Sequence, residues 1–321
     1  NISVNGIKMN ISDMIGYWGK TLESVFPTHA EVEDKKIKFE RFESNHKNFP
    51  VVKASVPKVI IPVFPGTNCE YDLGRAFKNA GAEVDTVVIK NLTGNQIEES
   101  VDRIVSGINS SQIIMLPGGF SAGDEPDGSG KFIATFFRNP KIAEAVMELL
   151  NKRDGLILGI CNGFQALIKL GLLPFGEIRD IDESCPTLTY NKIGRHISCM
   201  VNTRIVSNLS PWFSNLSVGD VHSIPVSHGE GRFIASDSVI KDLKRKGQIA
   251  TQYVDFQGNP SYDIKFNPNG SCFAVEGITS PDGRILGKMG HSERIGESVI
   301  KNVPGVKDQK LFEAGVNYFK L

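Results

Sequence analysis

The sequence lacks an excess of either charge, because 36 lysines and arginines balance 36 aspartates and glutamates over its 321 residues. This balance gives no long-range attraction to nucleic acid or to an anionic membrane. No apolar run approaches the roughly 18 residues that a membrane-spanning helix needs, and the N-terminus has no apolar signal segment. We therefore expect no nucleic-acid partner and no membrane association.

Cysteine is scarce and irregularly spaced. The five cysteines include no Cys-x-x-Cys pair, so they indicate neither a disulfide framework nor a zinc site. We expect a reducing, cytoplasmic compartment. A Walker-type phosphate loop is also missing, so nucleotide chemistry is not expected within this chain.

From Pro57 onward, short apolar runs alternate with helical patterns. This alternation predicts an α/β fold, a doubly wound, mostly parallel sheet flanked by helices. Strands are predicted at 58–64, 83–89, 112–116 and 155–159, and helices at 70–80, 95–105 and 131–152. In the second half, extra antiparallel strands are predicted at 187–206, 223–234, 273–278 and 284–289, followed by a closing helix within 299–318.

Residues 1–56 have a different character from the rest. A helix is predicted over 11–25, with Asp13 as its N-cap, and a charged stretch follows at 31–43. The segment has too few apolar residues for a core of its own. We expect a docking arm, or the tail of something larger, followed by one domain at 57–321.

A cysteine occupies a predicted strand-to-helix turn. Cys161 is the centre of Gly-Ile-Cys-Asn-Gly-Phe-Gln at 159–165. A nucleophile on such a turn projects above the sheet edge, at a helix N-terminus that favours a thiolate. A lone cysteine more often packs as a small hydrophobe. Here Gly159 and Gly163 favour the catalytic interpretation, because they allow close backbone approach.

Other loops should reach Cys161 at the same edge of the sheet. The glycines of Leu-Pro-Gly-Gly-Phe-Ser-Ala-Gly-Asp at 116–124 can offer the backbone N–H groups of an oxyanion hole, although glycines also serve plain turns. A histidine precedes a carboxylate by two residues twice, as His291 with Glu293 and as His228 with Glu230. In extended backbone, each pair would share a face and could supply a base. Spacing does not decide between them.

Together, these motifs resemble the class I, triad-type glutamine amidotransferases, and in particular the glutaminase domain of phosphoribosylformylglycinamidine synthase. The likeness covers about residues 57–321. It rests on Phe-Pro-Gly-Thr-Asn-Cys at 64–69, the Gly-Gly-Phe-Ser loop at 118–121, the Cys161 turn, Ser-His-Gly-Glu-Gly-Arg at 227–232, Asn-Pro-Asn-Gly-Ser at 267–271 and His-Ser-Glu-Arg at 291–294. Residues 1–56 resemble, more weakly, the end of the synthetase portion in the long single-chain form.

The resemblance implies a role for each matching residue. Cys161 would be the nucleophile, His291 the general base and acid, and Glu293 the carboxylate that orients it. The backbone N–H groups of Gly119 and Asn162 would form the oxyanion hole. The glutamine pocket would be lined by Gly118, Phe120, Ser121 and Gln165, whereas His228 would shape the pocket or a partner interface.

The implied reaction is hydrolysis of glutamine through a cysteinyl thioester. The ammonia would serve a synthetase portion that uses ATP and Mg²⁺ to convert formylglycinamide ribonucleotide to its amidine in purine biosynthesis. No metal or cofactor is expected in this chain itself. Two rival hypotheses are a stand-alone cysteine hydrolase of the same fold class and an inactive, partner-binding module.

The sequence departs from the family pattern at two places. Gly290 and Ser292 stand where the family usually has proline, which could loosen the catalytic loop. Ala122 stands where tyrosine is common, which would alter contact with the partner. Neither departure removes a reacting group.

Overall fold

The fold is that of a computed structural model, which describes residues 1–30, 37–44, 49–121 and 129–320. Ala122 and Asp124, which the sequence places in the glycine loop, lie outside the described residues. No helix within the described part of the chain is both long and apolar enough to cross a membrane.

The N-terminal segment begins with a hairpin of β1 (Ile2–Val4) and β2 (Ile7–Met9), followed by α1 (Ile11–Lys20). The predicted N-cap was wrong: Asn10 caps α1, its side chain accepting a hydrogen bond from Ser12 N at 2.8 Å. Asn10 is the last extended residue before the helix, whereas Asp13 already lies in the first turn. The helix also ends at Lys20 rather than at residue 25, and it buries none of its residues.

The remaining elements, in chain order, are β3 (Lys58–Val63), α2 (Glu70–Asn79), β4 (Glu83–Val88), α3 (Gly94–Ser110), β5 (Ile113–Leu116), α4 (Lys131–Phe137), α5 (Pro140–Arg153), β6 (Leu156–Ile160), α6 (Asn162–Leu170), α7 (Leu172–Phe175), β7 (Thr187–Tyr190), β8 (Ile197–Ile205), β9 (Val221–His228), β10 (Glu230–Ile234), α8 (Asp237–Arg245), β11 (Ile249–Val254), β12 (Val275–Thr279), β13 (Ile285–Lys288) and α9 (Leu311–Phe319).

Nine strands form one sheet in the order β4-β3-β5-β6-β13-β12-β11-β8-β9. Its first five strands pair in parallel, and pairing from β13 to β9 is antiparallel. The predicted α/β fold, with extra antiparallel strands in the second half, is confirmed. Every residue of β5 and β6 is buried, which explains their continuous apolar sequence: parallel strands are covered on both faces.

Several predicted elements differ in detail. The helix expected at 131–152 is two helices, because the Asn139 side chain caps α5 by accepting from Lys141 N at 3.0 Å and Pro140 begins it. The strands expected at 187–206 and 223–234 are each divided in two, and the closing helix is restricted to α9. Both α8 and β11 are missing from the prediction. Only Ile240 and Leu243 of α8 are buried, and most of the helix is polar.

Two described stretches of the N-terminal segment, residues 37–44 and 49–56, contact the domain. Phe42 N donates to Val206 O at 2.8 Å, and Ala54 N donates to Phe319 O at 2.9 Å. These backbone contacts join Phe42 to the residue after β8 and Ala54 to the last residue of α9.

The parallel strands bring the predicted loops together. Leu116, the last residue of β5, pairs with Gly159 of β6, and Ile160 pairs with Lys288, the last residue of β13. The loops that follow β5, β6 and β13 therefore leave the sheet side by side at one edge. They carry the Gly-Gly-Phe-Ser segment, Cys161 and His291.

Candidate active site

Cys161 lies on the sharp turn that the sequence predicts between β6 and α6. Its backbone has φ 51° and ψ −106°, an uncommon conformation for a residue with a side chain. A Cβ added at Gly163 would lie 2.1 Å from the backbone oxygen of Leu116, so the turn requires glycine there. The thiol is buried, with Sγ 3.8 Å from Ser227 O. This geometry is that of a nucleophile elbow.

His291 and Glu293 form the predicted pair. His291 Nδ1 and Glu293 Oε1 are hydrogen-bonded at 2.6 Å, and both side chains are buried. The stated reason for the pairing was wrong, however. The backbone is not extended here but turns, with Ser292 N donating to Gly290 O at 3.1 Å and Arg294 N donating to His291 O at 3.2 Å. The turn, rather than strand alternation, brings the two side chains together.

The histidine faces the cysteine across Gly118. A Cβ placed on Gly118 would lie 2.8 Å from His291 Cε1 and 3.4 Å from Cys161 Cβ. Burial by itself would lower the pKa of His291. The charge of Glu293, with hydrogen bonding of the imidazolium to the side chains of Cys161, Cys69 and Glu293, outweighs burial and raises this pKa well above its ordinary value. Burial likewise opposes ionisation of Glu293, but the adjacent imidazolium lowers the carboxyl pKa.

The second predicted pair does not form. His228 Nδ1 is hydrogen-bonded to Asn191 Oδ1 at 3.0 Å, and Glu230 Oε2 instead accepts from Ser129 N at 2.8 Å. Burial, with smaller contributions from the charges of His291 and His196, lowers the pKa of His228 to about 3. His228 therefore stays neutral, and the partner of its Nδ1 is an amide oxygen rather than a carboxylate.

The Gly-Gly-Phe-Ser loop is held against residues 66–68. Phe120 N donates to Gly66 O at 2.9 Å, and Asn68 N donates to Gly118 O at 3.4 Å. Gly119 lies between these two hydrogen bonds, opposite Thr67, and its own N–H takes part in neither of them. Gly119 has φ 131°, which favours glycine.

Side chains behind the elbow join α6 to the neighbouring loops. Asn162 Oδ1 accepts from Ser121 N at 3.4 Å, and Asn162 Nδ2 donates to Gln165 Oε1 at 3.0 Å. Gln165 Nε2 donates to Glu230 O at 2.5 Å. The amide of Gln165 is therefore engaged by protein groups, and it ties α6 to β10.

Unpaired polar atoms gather around Cys161. Buried side-chain atoms without a hydrogen-bond partner are few in native proteins, and each one calls for an explanation. Within the described residues, those of the loops around Cys161 are Ser121 Oγ, His228 Nε2, Glu230 Oε1, His291 Nε2 and Glu293 Oε2. A polar ligand that enters here would satisfy several of them.

Three residues near the site were not assigned roles from the sequence. Cys69 Sγ lies 3.8 Å from His291 Nδ1, His196 Nε2 is hydrogen-bonded to Ser227 Oγ at 3.0 Å, and Lys288 is buried below the His291 loop. Cys69 had a signal, since it ends the Phe-Pro-Gly-Thr-Asn-Cys motif after a predicted strand. His196 had none.

One cluster in the described residues has metal-ligating atoms close together: those of Cys69, His291 and Glu293 lie within 4.8 Å of one another. Arg294 Nη2 donates to Cys69 Sγ at 3.7 Å, which places a positive charge beside this cluster. The carboxylate and imidazole are already paired with each other.

A family model described as the CobB/CobQ-like glutamine amidotransferase domain matches residues 56–319. The chain belongs to this family. It is 35% identical over 240 residues to the phosphoribosylformylglycinamidine synthase subunit PurQ of Methanococcus maripaludis, an alignment that covers 74% of this chain and 82% of that protein. It is 33% identical over 265 residues to the PurQ subunit of Campylobacter jejuni, covering 81% and 99%.

The fold is similar to that of a chain in the structure of PurLQS from Thermotoga maritima. The TM-score is 0.59 at 28% sequence identity, and the match covers 83% of this glutamine amidotransferase and 100% of the other chain. The expected family is thereby confirmed.

Proposed function

We propose that this chain hydrolyses glutamine to glutamate and ammonia, and that the ammonia serves the ATP-dependent conversion of formylglycinamide ribonucleotide to formylglycinamidine ribonucleotide. The observation that carries the first step is the Cys161 elbow facing the buried His291–Glu293 pair. The likeness to PurQ subunits of phosphoribosylformylglycinamidine synthase supports the second step.

The chemistry follows from the positions of these groups. The Cys161 sulfur attacks the carboxamide carbon of glutamine, and His291 takes the thiol proton. The N–H groups of Gly119 and Asn162 stabilise the resulting oxyanion, each worth about 3–4 kcal/mol in sites of this kind. His291 then returns the proton to the departing ammonia, leaving a glutamyl thioester. Water, deprotonated by His291, releases glutamate and restores the thiol.

The unpaired atoms beside Cys161 suit the amino-acid end of glutamine. Glu230 Oε1 is a buried acceptor without a partner, and a carboxylate pairs well with an ammonium group. Ser121 Oγ is also unpaired and can donate to the substrate carboxylate. We assign the pocket to Gly118, Phe120, Ser121 and Glu230, with Gln165 and Asn162 bracing it. His228 contributes a neutral imidazole to its wall.

The ammonia acceptor would be a synthetase portion, where ATP and Mg²⁺ act. PurQ is named as a subunit, and the structural neighbour is PurLQS. We further propose that residues 1–56 are the tail of such a portion, ahead of a glutaminase domain at 57–321. The exposed Ile15 and Trp18 of α1, 61% and 84% accessible, support this, since apolar side chains of a helix usually pack on something. The five free thiols suit a reducing, cytoplasmic setting.

The test is labelling with 6-diazo-5-oxo-norleucine, a glutamine analogue whose electrophilic carbon traps a cysteine nucleophile. We expect mass spectrometry to find the label on Cys161 and glutamine to protect it. Cys161→Ala should abolish both labelling and glutamate release with the melting temperature retained. Cys185→Ala is the matched control, because its thiol contacts Asp182 on the surface.

Two outcomes would overturn the proposal. Glutamate release that survives in Cys161→Ala would show that Cys161 is not the nucleophile. Labelling without glutamine hydrolysis, even with the synthetase portion added, would favour a hydrolase of another substrate or an inactive module. Glutamate release that rises when the synthetase portion is added would support the coupling to an ammonia acceptor.

A further inference from the structure

A lysine is buried beneath the loop that carries His291. The side chains of Lys288 and Glu276 are both completely inaccessible, and Lys288 Nζ lies 3.2 Å from Glu276 Oε1. Removing two charges from water is costly, and a buried ion pair is weak evidence for added stability. A buried ion pair is stable when further hydrogen bonds satisfy its remaining donors and acceptors. The other hydrogen bonds of Lys288 and Glu276 therefore indicate the role of the pair.

Those contacts lie on both sides of His291. Lys288 Nζ donates to Gly290 O at 2.8 Å and to Ser292 Oγ at 2.9 Å. Glu276 Oε1 accepts from Gly290 N at 2.7 Å. The residue before His291 and the residue after it are therefore both bonded to this one ion pair.

Lys288 also contacts the nucleophile through its backbone. Its carbonyl oxygen accepts from Cys161 N at 2.9 Å, where β13 runs beside β6. A single residue thus bonds the elbow through its main chain and the histidine loop through its side chain.

We propose that Lys288 and Glu276 are positioning residues that hold His291 in register with Cys161. This inference rests on the proposed glutaminase function. Neither side chain is offered as a group that touches substrate. Their effect is to fix the two reacting side chains relative to each other, and a displacement of about 1 Å between reacting groups costs up to roughly 100-fold in rate.

This arrangement leaves no room for a side chain at Gly290. A Cβ there would lie 2.1 Å from Ile224 Cδ1 and 2.9 Å from Glu276 Oε1, and the Gly290 N–H is one of the bonds to Glu276. Proline at this position would remove that donor and add the clash. Ser292 supplies a hydroxyl that accepts from Lys288 and donates to Gln309 Oε1 at 2.5 Å. Hydrogen bonds therefore restrain the loop at the two positions where proline is usual in the family.

The first test is Lys288→Met, which keeps the length of the side chain and removes its three donors. We expect kcat for glutamate release to fall by roughly 10- to 100-fold, with KM for glutamine changed by less than about twofold. The matched control is Gln248→Leu, which removes two buried hydrogen bonds, to Pro174 O at 2.8 Å and Thr279 O at 2.9 Å, away from the loop. Gln248→Leu should lower the melting temperature but leave kcat within about twofold of the original.

Ser292 provides a gentler test, in case Lys288→Met does not fold. Ser292→Ala keeps the ion pair and removes one of its three hydrogen bonds to the loop, so kcat should fall several-fold at unchanged KM. Ser292→Thr keeps the hydroxyl and should restore most of the activity, which a purely steric role for this position would not predict.

Three results would refute the inference while leaving the glutaminase proposal intact: kcat unchanged in Ser292→Ala, equal loss in Ser292→Ala and Ser292→Thr, or a loss in Gln248→Leu as large as that in Lys288→Met. If the unsubstituted chain releases no glutamate from glutamine with the synthetase portion present, the proposed glutaminase function is itself wrong. That result differs from the three above, in which the unsubstituted chain is active and only the positioning role is refuted.

Discussion

The sharpest consequence of the site geometry concerns Glu293→Gln. The substitution keeps the shape of the side chain and removes the charge 2.6 Å from His291 Nδ1. That charge raises the pKa of His291 against the opposing effect of burial. An opposite charge in contact with an imidazole stabilises its protonated form. In the variant, where burial is no longer opposed by this charge, the pKa of His291 should therefore fall.

Loss of the Glu293 charge should shift the acid side of the pH profile of activity. Protonation of His291 in the free enzyme removes the base, so kcat/KM declines on the acid side of the profile. Lowering the pKa of His291 moves this decline to lower pH. The maximal rate should nevertheless fall by roughly 10²–10⁴-fold, because the imidazole loses its orienting partner.

The assay is glutamate release measured from about pH 5 to 9 with the synthetase portion present. Glu83→Gln is the control, since Glu83 is an exposed carboxylate paired with Lys58 at 3.0 Å. Its profile should match that of the unsubstituted enzyme. An acid decline in Glu293→Gln that stays in place, or moves to higher pH, would refute the assignment of Glu293 as the charge that controls His291.

Two further predictions concern the framework of the site. Gly163→Ala should destabilise the fold by about 1–3 kcal/mol and abolish labelling of Cys161, because the added Cβ would lie 2.1 Å from Leu116 O. The control is Gly94→Ala, whose added Cβ would have no atom within 4 Å and should be tolerated. Equal melting temperatures and equal labelling of the two variants would contradict this prediction. The pKa of His228 is about 3 in the folded protein and about 6.5 in the unfolded chain. As the pH falls below about 6.5, the unfolded chain therefore binds a proton at His228 that the folded protein does not, and the free energy of unfolding decreases. Between about pH 6.5 and 5, urea denaturation should show roughly 2 kcal/mol more loss of stability in the unsubstituted protein than in His228→Asn, and parallel curves would show that His228 is protonated when folded.

The motifs that were predictable from the sequence are those with local causes. The Cys161 turn depends on a buried strand, a helix start and two glycines, all within a dozen residues, and each leaves its own mark in the sequence. The parallel half of the sheet was predictable for the same reason, since β5 and β6 are short, uninterrupted apolar runs. The choice between His228 and His291 had no such local cause, because their spacing is identical, and it rested on the resemblance to the family alone.

What the sequence could not indicate is which polar residues are buried. Lys288 ends an apolar strand, where a lysine normally marks the edge of the core and extends into solvent. Its burial depends on Glu276, a residue of the neighbouring antiparallel strand, and on Ser292 and Gly290 across the loop. Pairings of this kind arise only after the strands are in register, so no local pattern predicts them. The motif at 64–69 marks Cys69, but its approach to His291 from the loop after β3 likewise depends on the assembled sheet.

The two histidines near Cys161 show how surroundings divide their roles. His291 has a carboxylate at Nδ1, and its pKa is raised; it can take a proton from a thiol and hold it until ammonia leaves. His228 has an amide oxygen at Nδ1 and a pKa of about 3, so it remains neutral throughout any working pH range. A charged His228 would repel the imidazolium of His291 and undo what Glu293 achieves. Because Glu230 Oε2 accepts from Ser129 N instead, no charge from Glu230 opposes the effect of burial on His228, and the imidazole beside the proposed base stays neutral.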